Sequence, residues 1–175
     1  MTLLSDFDII IYGIPRKAGK KMQVCFIGHR SIEKTEELIR SLEETVVALI
    51  DNGVKTFLFG SMSEFNSLSW QVVSALKEKY PFIKRVYVRS NYPSIDKAYE
   101  EYLLRFYEET YFPEKLKEAG KCAYVERNYK MIDDSNYCVF YYNENYIPPL
   151  KRKKRKICCC NQGARVELRL LMNMQ

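Results

Sequence analysis

Gln23-Val24-Cys25-Phe26-Ile27-Gly28-His29-Arg30 is the stretch on which the fold turns. Val24 to Gly28 are apolar or small, and the chain then becomes abruptly polar. A short unbroken apolar run reads as a strand buried on both faces, as in a parallel sheet. Gly28 ends it where the backbone must turn tightly or let something approach closely. A helical pattern starts a few residues after Arg30. This is the first strand, loop and helix of an open α/β sheet, a fold whose ligands sit outside the carboxyl ends of the strands.

The rest of the chain repeats that unit. A helix is predicted from about Thr35 to Asn52, with Thr35 as N-cap, Glu36 and Glu37 in the first turn, and Gly53 as the stop. Leu38, Leu42, Val46 and Leu49, with Ile39 and Ile50, form its apolar stripe. Thr56–Gly60 is the second strand, and a helix follows from about Glu64 to Tyr80 on the face Phe65, Leu68, Val72, Leu76. Lys84–Arg89 is the third strand. A helix capped by Ser94 is predicted from about Ile95 to Thr110, and its aromatic stripe Tyr99, Tyr102, Phe106, Tyr107 reads as packing rather than a base-stacking platform. Tyr111–Lys121 is a connector, Ala123–Ser135 a helix, and Tyr137–Tyr142 a further apolar strand. Alternating strands and helices argue for right-handed crossovers and a mainly parallel sheet. The expected class is therefore α/β, a three-layer α/β/α arrangement.

At 175 residues the chain amounts to one domain, assigned to residues 22–175. Residues 1–21 read as a flexible extension, Met22 being a sensible start. Within it, DIIIYGI either adds an edge strand or belongs to a tether ending in RKAGKK. Residues 143–162 form an irregular basic loop holding Pro148, Pro149, Lys151–Lys156 and Cys158–Cys160, and Gly163–Met174 reads as a last helix. The net charge is +6, and the six basic residues of Lys151–Lys156 account for all of it. The body is charge-balanced, so the run reads as a solvated loop and nucleic acid is a disfavoured partner. No apolar run approaches the ~20 residues needed to span a bilayer, and no basic leader precedes the first apolar run. Cys25 and Cys138 fall in core strands, and the Cys158–Cys160 triplet fits neither an ordinary bridge nor a CxxC metal site. A reducing, cytoplasmic setting without membrane contact is expected.

The strand-end loops hold the candidate site residues: Gly28, His29 and Arg30; Gly60, Ser61, Ser63 and Glu64; Arg89 and Ser90; Asn143 and Glu144. Gly163 opens the last helix. The turns at Gly60-Ser61 and Gly163-Ala164 each precede a helix, whose exposed amides and dipole attract anions. Arg30 offers a guanidinium fork for phosphate oxygens. His29, the one histidine, is either bonded to a neighbouring backbone group or a ligand contact; nothing nearby completes a metal site. Arg127 and Asn128 are either surface residues or a second polar clamp facing the cleft. Glu64 is a weak catalytic candidate, and Glu167 another, against plain solvation. GxGxxG, Walker, GxSxG and HExxH motifs are all absent from the chain.

CFIGHR, TFLFGSMSEF, AYVERNYKMID and CVFYYNENY followed by PP resemble, in that order, the motifs of the YpsA-like branch of the SLOG superfamily. That superfamily also includes Smf/DprA and the cytokinin-activating LOG phosphoribohydrolases. The resemblance spans about Met22 to Pro149. It implies a Rossmann-like fold and a cleft for a nucleotide or nucleotide derivative, with Gly28, His29, Arg30, Gly60, Ser61, Glu64, Arg127 and Asn128 lining it. The family's final phosphate turn, SGT before a helix, is replaced by NQGARVEL, with Gln162 and Ala164 in place of Ser and Thr. The catalytic PGGxGTxxE motif of LOG enzymes is absent, and Gly163 to Glu167 keeps only a G-x-x-x-E spacing.

The expected function is binding or sensing of a nucleotide derivative such as ADP-ribose or NAD. A small phosphorylated ligand is the expected partner, and self-association stays open. The alternatives are a LOG-like nucleoside monophosphate phosphoribohydrolase and a DprA-like nucleic-acid binder.

Overall fold

Strict alternation along the strands makes two apolar faces, and each is covered. In a computed structural model, residues 8–14, 22–60 and 62–148 are described. The elements run β1 (Asp8–Gly13), β2 (Gln23–Ile27), α1 (Glu36–Asp51), β3 (Thr56–Phe59), α2 (Glu64–Lys79), β4 (Lys84–Val88), α3 (Lys97–Leu104), β5 (Glu109–Tyr111), α4 (Ala123–Asp134) and β6 (Tyr137–Tyr142). Two short 3-10 turns precede α4. Val24, Phe26, Phe57, Phe59, Val139 and Tyr141 point to one side, where α1 and α2 deliver Leu38, Leu42, Val46, Phe65, Leu68 and Val73. Cys25, Ile27, Leu58, Val86, Val88, Cys138 and Phe140 point to the other side, closed by Met131 of α4. Each such side chain removed from water contributes roughly 1.5–3 kcal/mol.

The sheet order is β1-β6-β2-β3-β4-β5. All neighbours are parallel except β1, which runs antiparallel to β6 with Asp8 opposite Tyr142 and Gly13 opposite Tyr137. The chain steps outward from β2 through β3, β4 and β5, then returns through α4 to lay β6 on the other side of β2. This is a three-layer, Rossmann-like α/β/α fold with a mainly parallel sheet, and its direction reverses between β2 and β6. An α/β sheet opens a crevice at such a point.

Local chemistry sets most boundaries. Thr35 and Ser63 cap α1 and α2 by accepting from the amides of Leu38 and Asn66, both at 3.1 Å. Gly53, at φ 89°, ends α1 in the left-handed region.

Two predictions need correcting. The helix expected to run to Thr110 stops at Leu104, and its cap is Asp96 rather than Ser94. A short strand, β5, follows where a continuing helix and a connector were expected. Glu108 explains the change. Its carboxylate accepts Arg85 Nη2 at 2.7 Å and the Arg85 amide at 2.6 Å, and Lys77 stands 3.5 Å away. Burial works against the Glu108 carboxylate, yet the Arg85 bonds and the charges of Arg85 and Lys77 hold its pKa below the ordinary value. With Glu108 pinned to the start of β4, the chain must pair rather than coil. Of the aromatic stripe, only Tyr107 packs inward, against Phe59 and Tyr87; Tyr99, Tyr102 and Phe106 stay exposed.

Residues 8–13, expected to belong to a flexible extension, instead form the edge strand β1, because DIIIYG pairs along its length with β6. Cys25 and Cys138 face each other across β2 and β6 as fully buried thiols, Sγ to Sγ 3.3 Å. Among the described residues no helix is long and apolar enough to cross a membrane. The basic run, the cysteine triplet and the predicted last helix lie outside the described residues.

Candidate functional site at the carboxyl edge of the sheet

The carboxyl ends of β2 and β3 are joined by the first turn of α2. Asn66, nearly buried there, accepts from the Gly60 amide through Oδ1 and donates from Nδ2 to the Phe26 carbonyl, both at 3.4 Å. One side chain thereby ties the end of β3 to the end of β2. Two residues earlier, Glu64 and the first loop clasp each other. The Glu64 amide donates to the Arg30 carbonyl at 2.9 Å, and Glu64 Oε2 accepts from the Ile32 amide at 2.9 Å. Two amides of this helix start are therefore already engaged, Glu64 by Arg30 and Asn66 by Ser63. The anion cradle expected there is narrower than the sequence suggested.

The Cβ position of Gly28 points at a side chain of α2. A Cβ added to it would lie 2.6 Å from the Phe65 ring, itself fully buried. Its lack of a side chain lets α2 lie close to β2. Gly60 is enclosed by backbone as well as side chain: an added Cβ would meet the Val88 carbonyl oxygen at 2.6 Å and Arg127 Cδ at 3.1 Å.

Arg127, on α4, is 2% exposed. Nη1 donates to the Gly60 carbonyl and, at 3.4 Å, to Ser90 Oγ. Nε and Nη2 donate to Asn128 Oδ1 at 3.3 and 3.0 Å. Its guanidinium carbon lies 5.6 Å from the centre of the Tyr124 ring. Arg127 is thus a clamp across the ends of β3 and β4, buried among the protein's own acceptors rather than on the surface. Arg30, by contrast, is exposed at the end of β2.

His29 closes the switch point. Its Nε2 accepts from the Asn143 amide at 3.2 Å, its ring stacks on Tyr146 at 4.0 Å, and Tyr141 meets it edge-on at 5.7 Å. Asn143 Oδ1 in turn accepts from the Asn145 amide at 2.7 Å, which shapes the turn after β6. The backbone-bonded reading of His29 is the one found. Burial lowers the imidazole pKa from its ordinary 6.5. The folded protein prefers the neutral ring, so this contribution to stability is complete above about pH 6.5 and is lost as pH falls toward the lowered value. Because His29 is the one histidine of the chain, the window between pH 7.5 and 5.5 isolates it from the carboxylates. The urea midpoint is expected to fall across that window, and His29→Gln, neutral at both ends, is expected to flatten the fall. Equal slopes for the two proteins would contradict this assignment.

The structure thus brings Gly60, Arg127 and Asn128 together, Arg30 with Glu64, and His29 with Asn143, with Ser63 and Asn66 between them. Ser61 and Gly163 lie outside the described residues. The sequence reading missed the roles of Asn66, Tyr124 and Tyr146. Asn66 carried a usable signal, a polar residue on the apolar face of α2 three positions after the cap. Ser90 was noted as a strand end but not as the partner of Arg127. Among the described residues no three His, Cys, Asp or Glu side chains group to hold a metal ion. No protein-family model matches the chain, and no curated protein matches it either.

Proposed function

We propose that the protein is a nucleotide-derivative-binding module of the YpsA-like SLOG type, taking an ADP-ribose- or NAD-like ligand at the carboxyl edge of the sheet. The observation that carries this reading is the topological reversal between β2 and β6, with Arg30 exposed at one lip and Asn143 at the other. A guanidinium there matches phosphate oxygens in a fork. Gly60, Asn66 and Arg127 make the floor rigid, which keeps the cost of ordering a ligand low. Glu64 Oε2 accepts the Ile32 amide and the Glu64 amide donates to the Arg30 carbonyl, so this residue holds the first loop in place beside the site. The charge balance of the body weighs against a DprA-like role.

The test is thermal unfolding with ADP-ribose, NAD, AMP and cyclic dinucleotides. A ligand present at a hundred times its Kd stabilises by about 2.7 kcal/mol, or roughly 5–10 °C for a chain of this size. At least one of these ligands is expected to give that rise, and Arg30→Ala to abolish it without changing the ligand-free midpoint. No rise with any of them would refute the reading.

A further inference from the structure

The loop between β4 and α3 holds a second feature, beside the Arg127 clamp but separate from it. Two residues after Ser90, Tyr92 adopts φ 60°, the left-handed region that a bulky residue rarely enters. The Arg89 guanidinium braces this turn by donating to the Tyr92 carbonyl at 2.9 Å and the Pro93 carbonyl at 3.4 Å. The outcome is a tyrosine held 69% exposed on a fixed backbone. Its ring borders an open surface hollow of about 350 Å³ lined by Tyr92, Ser94, Ile95, Asp96 and Tyr99, of which only Ile95 is half-buried. That volume is at the small end for ligand pockets and suits a single ring system. Asp96 Oδ1 caps α3 by accepting from the Tyr99 amide at 2.7 Å, while a carboxylate has acceptor positions for more than one donor. The pocket therefore presents two aromatic walls, a hydroxyl and an anionic acceptor. Asn91 Nδ2 donates to the Tyr124 hydroxyl at 2.8 Å, and Tyr124 lies over Arg127, so the pocket borders the edge described above.

We propose that this pocket takes the base of the bound nucleotide, with the planar ring laid on Tyr92 and an exocyclic amino group donating to Asp96. The inference rests on the nucleotide reading of the neighbouring edge and adds which end of the ligand goes where. Ring stacking on tyrosine tolerates any base, while Asp96 selects those with an amino edge: adenine, guanine or cytosine over uracil.

Calorimetric titration with ribose 5-phosphate, AMP, GMP, UMP, adenosine and guanosine tests it. Tyr92→Asn removes the ring but keeps a residue that tolerates the left-handed backbone. Asp96→Asn keeps the helix cap but removes the anion. AMP or GMP is expected to bind at least about tenfold tighter than ribose 5-phosphate and UMP. Tyr92→Asn should cancel the gain of AMP or GMP over ribose 5-phosphate with ribose 5-phosphate affinity unchanged, and Asp96→Asn should cancel the preference over UMP. A gain of AMP or GMP over ribose 5-phosphate that is absent, or that survives Tyr92→Asn, overturns the pocket while leaving phosphate capture intact. Nucleosides that bind the parent but not Tyr92→Asn, with ribose 5-phosphate inert, support the pocket and refute phosphate capture instead.

Discussion

Arg127→Met is expected to lower the unfolding free energy by about 3 kcal/mol and the thermal midpoint by roughly 6–12 °C. Methionine keeps much of the volume, so lost packing is the smaller part. The larger part is the loss of the guanidinium from the Gly60 carbonyl, Ser90 Oγ and Asn128 Oδ1, in a place where Arg127 is 2% exposed. A buried acceptor deprived of its donor costs about 1–3 kcal/mol, and more when the donor was charged. Arg127→Lys should recover little, because an ammonium cannot span three acceptors in a plane. Urea unfolding with an unchanged m-value would show that the native state, not the unfolded chain, is affected. A methionine variant as stable as the parent would mean that the clamp is ornamental.

Gly60→Ala should cost about as much, roughly 3 kcal/mol, by a different route. The added methyl would sit 2.6 Å from the Val88 carbonyl oxygen, and a backbone atom inside a paired strand has no rotamer to escape into. β3 and β4 must part, or the chain at Gly60 must retreat from Arg127. The two substitutions meet at one contact, so their effects should fall short of additive in the double variant. Summed costs within ~0.3 kcal/mol would show instead that the glycine and the arginine act independently.

The parallel core was legible because burial on both faces leaves unbroken apolar runs, as in Val24–Ile27 and Tyr137–Tyr142. Helix starts were legible at Thr35, where a hydroxyl precedes an apolar stripe, and at Glu64, although the cap there, Ser63, was read only as a site residue. β5 was not, because its three residues carry no pattern of their own; they are held by the ladder to β4, with the Glu108–Arg85 ion pair just before it. Cap choice at α3 failed because Ser94 and Asp96 are both good caps, and the brace from Arg89 decides between them. At the site, the sequence located the strand ends but not which groups face one another. Arg127 is polar by composition and buried by position, and only the return of α4 across the sheet makes it so. The two small residues Gly28 and Gly60 read as ligand approaches, whereas each lies against the protein's own side chains or backbone.

The antiparallel pairing of β1 with β6 ties the earliest described strand to the last. During synthesis Asp8–Gly13 is made well over a hundred residues before its template Tyr137–Tyr142. Until then Ile9, Ile10 and Ile11 have no ladder to join. The final zipper can close only when translation of the sheet is finished, and that long wait is a window for chaperone capture or for pairing with a strand of another nascent chain.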